Sequence, residues 1–196
     1  MENMDGVRVT ECTRCPALVE GRSQIVNGTG PEDADLLIVG EAPGEQEDRE
    51  GEPFVGRSGT QLDEKLREHG IPREEVRITN CVRCRPPENR DPTKEELDNC
   101  KSYLEREISL VDPNLIMTVG KVPTEHLLER DVAVTKEAGT VEEHRIDGQS
   151  RKILISVHPA AMLYDRSQES TLDATIEEAA ALIGAGGNDQ SRLDSF

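Results

Sequence analysis

Residues 36–59 read Leu36-Leu37-Ile38-Val39, then Gly40-Glu41-Ala42-Pro43-Gly44-Glu45-Gln46-Glu47-Asp48-Arg49-Glu50, then Gly51-Glu52-Pro53-Phe54-Val55-Gly56-Arg57-Ser58-Gly59. The apolar run 36–39 has the length and composition of a buried strand, and residues 40–59 read as a loop leaving its C-terminal end. In open α/β sheets that edge is where ligands bind. Glycines and prolines fix the path of the loop, carboxylates cluster along it, and it carries one of only two Phe in the chain. A sequence this poor in aromatics has placed one where a flat ligand can stack on it.

Outward from this stretch, Asp35–Gly40 is the first of four apolar runs with strand character; the others are Val76–Val82, Asn114–Gly120 and Lys152–Val157. Segments of helical length separate them: Gly59–His69, Thr93–Ile108 and Pro123–Arg130, with a last helix over Ser170–Ile183. Strands alternating with helices predict an α/β fold with a parallel sheet covered on both faces. Residues Glu137–Gly148 are expected to make a small antiparallel excursion. The sequence predicts one domain over residues 1–183, and a polar, Gly-rich, mobile tail over 184–196.

Three strand ends run into distinctive groups: the 40–59 loop, Thr79-Asn80-Cys81-Val82-Arg83-Cys84-Arg85-Pro86-Pro87, and His158-Pro159-Ala160-Ala161. Ends of parallel strands share one edge of the sheet, so Glu41, Phe54, Asn80 and His158 are expected to converge on one cleft. Singly, each has an ordinary structural explanation: an Asn caps a turn, a His packs, a Gly-Pro loop connects. Their joint placement on the ligand-binding edge favours a site.

The net charge is −17, with 40 acidic against 23 basic residues. Such a balance ordinarily argues against a nucleic-acid partner, because phosphates repel carboxylates. Only six of the 23 basic residues are Lys, however. An acidic surface poor in Lys and aromatics resembles that of a halophilic archaeal protein. In molar salt the Debye length shrinks to about 3 Å, so the total charge says little about partners. No apolar run approaches a membrane span and no N-terminal signal is visible, so the protein is expected in the cytoplasm, acting at the nucleoid.

Five cysteines in such a chain argue for a metal or cluster rather than a disulfide framework. Cys12-x-x-Cys15 is one half of a site. By spacing alone Cys81-x-x-Cys84 would complete a four-Cys zinc site, while Cys84 with Cys100 is the rival pairing.

Taken together, these motifs resemble the family-4 uracil-DNA glycosylases, the iron–sulfur type of archaea and thermophilic bacteria. The resemblance spans about residues 8–183. It rests on Cys12-x-x-Cys15, Gly40-Glu41-Ala42-Pro43-Gly44-Glu45, Pro53-Phe54-Val55-Gly56, Thr79-Asn80, Cys84-Arg85-Pro86-Pro87 with Asn89-Arg90, Cys100, and His158-Pro159. It implies a three-layer α/β/α sandwich with a central four-stranded parallel sheet. It also implies one four-iron four-sulfur cluster held by Cys12, Cys15, Cys84 and Cys100, with Cys81 not a ligand.

The implied chemistry is release of uracil from DNA by a monomer. Phe54 would stack on an extruded base and Asn80 would read its pairing edge. Main-chain groups around Gly40, Glu41, Ala42 and Pro43, with Glu47, would complete the base contacts. His158 would stabilise charge developing on uracil O2, and Glu41 would hold the attacking water. The best-studied glycosylases carry an Asp where this chain has Ala42, so Glu45 and Glu47 remain alternatives to Glu41. A related covalent-binding branch has a basic insertion with a reactive His after the second motif; the interval from Cys84 to Cys100 holds none, which favours turnover.

Arg57, Arg85 and Arg166 are the expected DNA contacts. The tail Gln190-Ser191-Arg192-Leu193-Asp194-Ser195-Phe196 resembles the clamp-binding peptide of DNA-repair proteins, with Gln190, Leu193 and Phe196 as anchors for the sliding clamp PCNA. Two other functions fit parts of the sequence: a non-catalytic iron–sulfur redox or sensor protein, and a zinc-stabilised nucleic-acid-binding module. The first leaves Phe54, Asn80 and His158 without work, and the second predicts a colourless protein.

Overall fold

The computed structural model describes residues 7–185. Its centre is a sheet built from β1 (Leu36–Gly40), β2 (Val76–Asn80), β3 (Leu115–Val119), β4 (Val141–Ile146) and β5 (Gln149–Ser156), in the order β2-β1-β3-β5-β4. The pairs β1–β2, β1–β3 and β3–β5 are parallel, and β4 runs antiparallel to β5. Every residue of β1, β2 and β3 is buried, as expected of parallel strands covered on both faces.

Alternation along these strands feeds two cores. Leu36, Ile38, Val76, Ile78, Leu115 and Met117 face one side, against Leu62 and Leu66 of α3 (Arg57–Glu68) and Leu172, Ile176 and Ala179 of α7 (Ser167–Ile183). Leu37, Val39, Ile116, Ile153 and Ile155 face the other, against Leu104 and Ile108 of α4 (Lys94–Val111) and Leu127 and Leu128 of α5 (Lys121–Leu128). The result is a three-layer α/β/α sandwich. Helix α4 starts on a capping box in which the Thr93 side chain accepts from the Glu96 N–H and the Glu96 carboxylate accepts from the Thr93 N–H. Among the described residues, no helix is long and apolar enough to cross a membrane.

The four expected parallel strands are β2, β1, β3 and β5, and the expected antiparallel excursion is a complete edge strand, β4. Asp147 and Gly148 both adopt positive φ, 47° and 79°, the signature of a two-residue hairpin turn that returns the chain directly into β5. Strand β5 therefore begins at Gln149, ahead of the expected Lys152. One expectation is corrected: the 40–59 segment is not all loop. Glu45–Glu50 forms helix α2, whose first turn carries Glu45, Glu47 and Asp48, charges that complement the helix dipole. The remaining short elements are α1 (Pro16–Gly21), α6 (Val134–Glu137) and 3₁₀ turns at Arg73–Glu75, Pro87–Asn89 and Pro159–Leu163.

Candidate active site

The C-terminal ends of β1, β2 and β5 open into a cavity of about 320 Å³ lined by Glu41, Ala42, Glu47, Phe54, Asn80 and His158, with Gly44 and Ser58 at its margin. Six of the eight residues expected to touch substrate thus meet in one place. Gly40 and Pro43 are not among its lining residues, though Gly40 packs against two that are. A Cβ on Gly40 would sit 2.6 Å from the Phe54 ring and closer still to the Asn80 amide oxygen, so only glycine lets both side chains close on the strand end. Pairing of β1 with β2 continues past their ends, since Cys81 N–H donates to the Gly40 carbonyl and Val82 N–H to that of Glu41. The main chain of the first motif is thereby fixed against the sheet.

His158 follows β5 and caps a 3₁₀ turn over Pro159–Leu163. Its Nδ1 accepts the Ala160 N–H at 3.1 Å, which leaves the proton of the neutral imidazole on Nε2. Burial pushes the imidazole pKa down to about 4. The ring is therefore a neutral donor across the physiological range. It lies 5.9 Å from the Phe54 ring, centroid to centroid, at an interplanar angle of 33°.

The Asn80 amide is 4% exposed and, like the Glu41 carboxyl, has no protein hydrogen bond among the described residues. Burial, reinforced by the nearby Asp91 charge, raises the Glu41 pKa to about 7. Glu47 is already engaged, its Oε1 accepting from the Gly56 N–H at 3.3 Å. Glu45 is exposed and paired with Arg49, so it stands outside the cavity. Of the three carboxylates weighed for holding water, Glu41 alone is both in the cavity and free.

The cysteines divide. Cys84 and Cys100 pack with Leu18 and Val82, beside Cys15 and Tyr103, whereas Cys81 is buried in the other core among Leu37, Val39 and Leu104. Cys12 and Cys15 both raise the pKa of Cys84, and Cys84 and Cys15 that of Cys100, in each case behind a larger effect of burial. These four thiols are therefore electrostatic neighbours. All five cysteines are free, and no group of three or more His, Cys, Asp or Glu among the described residues is arranged to hold a single metal ion.

Of the basic residues singled out, Arg57 and Arg166 are exposed, with no side-chain hydrogen bond or ion pair among the described residues. Arg85 is engaged: its Nε donates to Asn89 Oδ1 at 2.7 Å and its guanidinium lies 3.6 Å from Glu45. Gln190, Leu193 and Phe196 lie outside the described residues. Sequence reasoning missed Leu163 and Tyr164, which stand 38% and 91% exposed shortly after His158. The signal was there to find, since Tyr164 is one of only two Tyr in the chain.

An α/β/α sandwich with a small polar-and-aromatic cavity at its parallel strand ends matches a described class. The family model for the uracil DNA glycosylase superfamily matches residues 27–180. A type-4 uracil-DNA glycosylase of Archaeoglobus fulgidus is 36% identical, covering 94% of this chain and 95% of its own. A type-4 uracil-DNA glycosylase of Thermotoga maritima is 42% identical over 83% of each chain. A type-5 uracil-DNA glycosylase of Pyrobaculum aerophilum is 29% identical over 90% of this chain and 91% of its own. The chain belongs to the uracil DNA glycosylase superfamily and, within it, to the type-4 family.

Proposed function

We propose that the protein is a monofunctional DNA-repair glycosylase that hydrolyses the N-glycosidic bond of uracil in DNA, releasing free uracil and leaving an abasic site. The observation that carries this reading is the neutral His158, its Nε2–H available beside the Phe54 ring and the unengaged Asn80 amide. A uracil turned out of the helix stacks on Phe54 and pairs its amide edge with Asn80. As the C1′–N1 bond breaks, its electron pair passes to the uracil ring, and His158 donates a hydrogen bond to O2 where charge accumulates. Water adds to C1′ and gives its proton to Glu41. Leu163 and Tyr164, exposed shortly after His158, would enter the space the base leaves.

Cys12, Cys15, Cys84 and Cys100 would hold a four-iron four-sulfur cluster through their thiolates. Their fit rests on the shared surroundings of the four thiols; Cys81 also feels the Cys100 thiol but packs in the opposite core. When bound, the cluster supplies a staple joining the N-terminal segment, the turn after β2 and α4; none of the four cysteines lines the cavity. Arg57 and Arg166 supply phosphate contacts, and Arg85 joins them on release from Glu45. Gln190, Leu193 and Phe196 dock on the sliding clamp. The acidic, Lys-poor composition fits work at high salt.

The reading is tested with oligonucleotides carrying a single uracil, thymine or cytosine in otherwise identical sequence, at high salt. Free uracil and an alkali-labile site are expected from the first alone. Release of none of the three, by protein that binds all of them, would leave the cavity without this function.

A further inference from the structure

Phe54 adopts a left-handed backbone, φ 55°, in a region that bulky residues rarely occupy. Something must hold it there. The Phe54 carbonyl is boxed on one side by α3, where a Cβ on Gly59 would collide with that oxygen. On the other side stands Arg73, on the 3₁₀ turn before β2. Its Nη1 donates to the Phe54 carbonyl at 3.0 Å and its Nη2 to the Pro53 carbonyl at 2.6 Å. The same Nη1 donates to Asp63 Oδ1 at 2.9 Å, which anchors the guanidinium to α3.

We infer that Arg73 is a positioning residue for uracil recognition, holding Phe54 in the strained backbone that presents its ring to the base. The inference rests on the glycosylase reading for the identity of the base. A planar fork can capture two successive carbonyls at once only while both point the same way. Relaxation of Phe54 to a negative φ turns one carbonyl from the other and breaks the pair of bonds. The ring then leaves its seat at the end of β1, where Gly40 makes room for it. Asp63 acts one step further out, by orienting the fork.

The test uses the full chain, wild type beside Arg73→Ala and Arg73→Lys. The chain has only two Phe, so selective labelling of Phe gives two backbone signals, and removal of the tail identifies that of Phe196. Wild type is expected to show the positive-φ shifts and coupling for Phe54, and Arg73→Ala to lose them. In parallel, kcat/KM on uracil DNA falls roughly tenfold and inhibition by free uracil weakens by a like factor, while binding to uracil-free DNA is unchanged. Lysine, a point donor, restores the effect only in part, and serves as the readout should the alanine variant fail to fold. Retention of the left-handed signature in either variant with wild-type kinetics would overturn the inference. So would a loss shared equally by uracil-free DNA binding. If wild type itself releases no uracil, the glycosylase reading falls, and the Phe54 signature alone decides whether Arg73 holds the backbone.

Discussion

Two titrating residues line the same cavity with their ordinary order reversed. Burial holds Glu41 up to about 7 and His158 down to about 4. The state with an ionised Glu41 and a neutral His158 therefore fills as pH rises through about 7. Single-turnover uracil release is expected to climb about tenfold per pH unit below that value and level above it. In Glu41→Gln the rate should be low and flat over the same range. A wild-type limb that persists in Glu41→Gln would assign the titration to another group. His158 also marks stability. Its folded pKa lies below the ordinary 6.5, so the unfolded chain binds the extra proton, and the folded state loses ground as pH falls from about 6.5 toward 4. Glu41, raised on folding, has the opposite sign between about 4.5 and 7, so the His158 part is read as a difference. Tm of wild type should drop relative to His158→Gln across the acid window, and parallel profiles would refute it.

At the scale of elements, the start of α3 is where packing overrides propensity. Gly→Ala inside a helix ordinarily stabilises by about 1 kcal/mol. Gly59→Ala should do the reverse, by roughly 1–3 kcal/mol, because its Cβ meets the Phe54 carbonyl oxygen. Thermal unfolding gives the sign, and uracil release should fall with it as Phe54 moves. The elements bearing cysteines make a separate expectation: Cys100→Ala on α4 should purify short of iron, while Cys81→Ala keeps its full complement. The opposite pattern would restore the pairing of Cys81 with Cys84.

The strands β1, β2 and β3 were legible because buried parallel strands are written as short unbroken apolar runs. The hairpin was only half legible: Asp147-Gly148 signals a turn, but β4, exposed at alternate positions, is polar at all four of its inner residues and carries little apolar pattern. Helix α2 was hidden because Glu45–Glu50 is too short and polar for periodicity to show. In the site, Glu41, Asn80 and His158 were readable as strand ends. Arg73 was not, since its role lies in two carbonyls and a backbone angle that no residue pattern records.

For the whole molecule, the negative total charge and the DNA substrate are reconciled locally. Arg166, exposed beside the turn that carries Leu163 and Tyr164, is the proposed phosphate contact. Arg166→Glu should weaken binding to uracil-free and uracil-containing DNA alike, because phosphate contacts carry no base information. A loss confined to uracil DNA would move Arg166 into the base site. Removal of residues 184–196 should abolish binding to the sliding clamp in calorimetry and leave uracil excision intact; undiminished binding would dispose of the clamp peptide. The central claim is that one cavity at the parallel strand ends excises uracil with His158 as the hydrogen-bond donor to the leaving base. It is tested most directly by single-turnover release of free uracil from a uracil-containing oligonucleotide, wild type beside His158→Ala, both iron-loaded and at high salt. The expected result is stoichiometric release by wild type and a rate about 10²–10³-fold lower in the variant, with DNA binding unchanged. No release by wild type, or equal rates in the two, would contradict it.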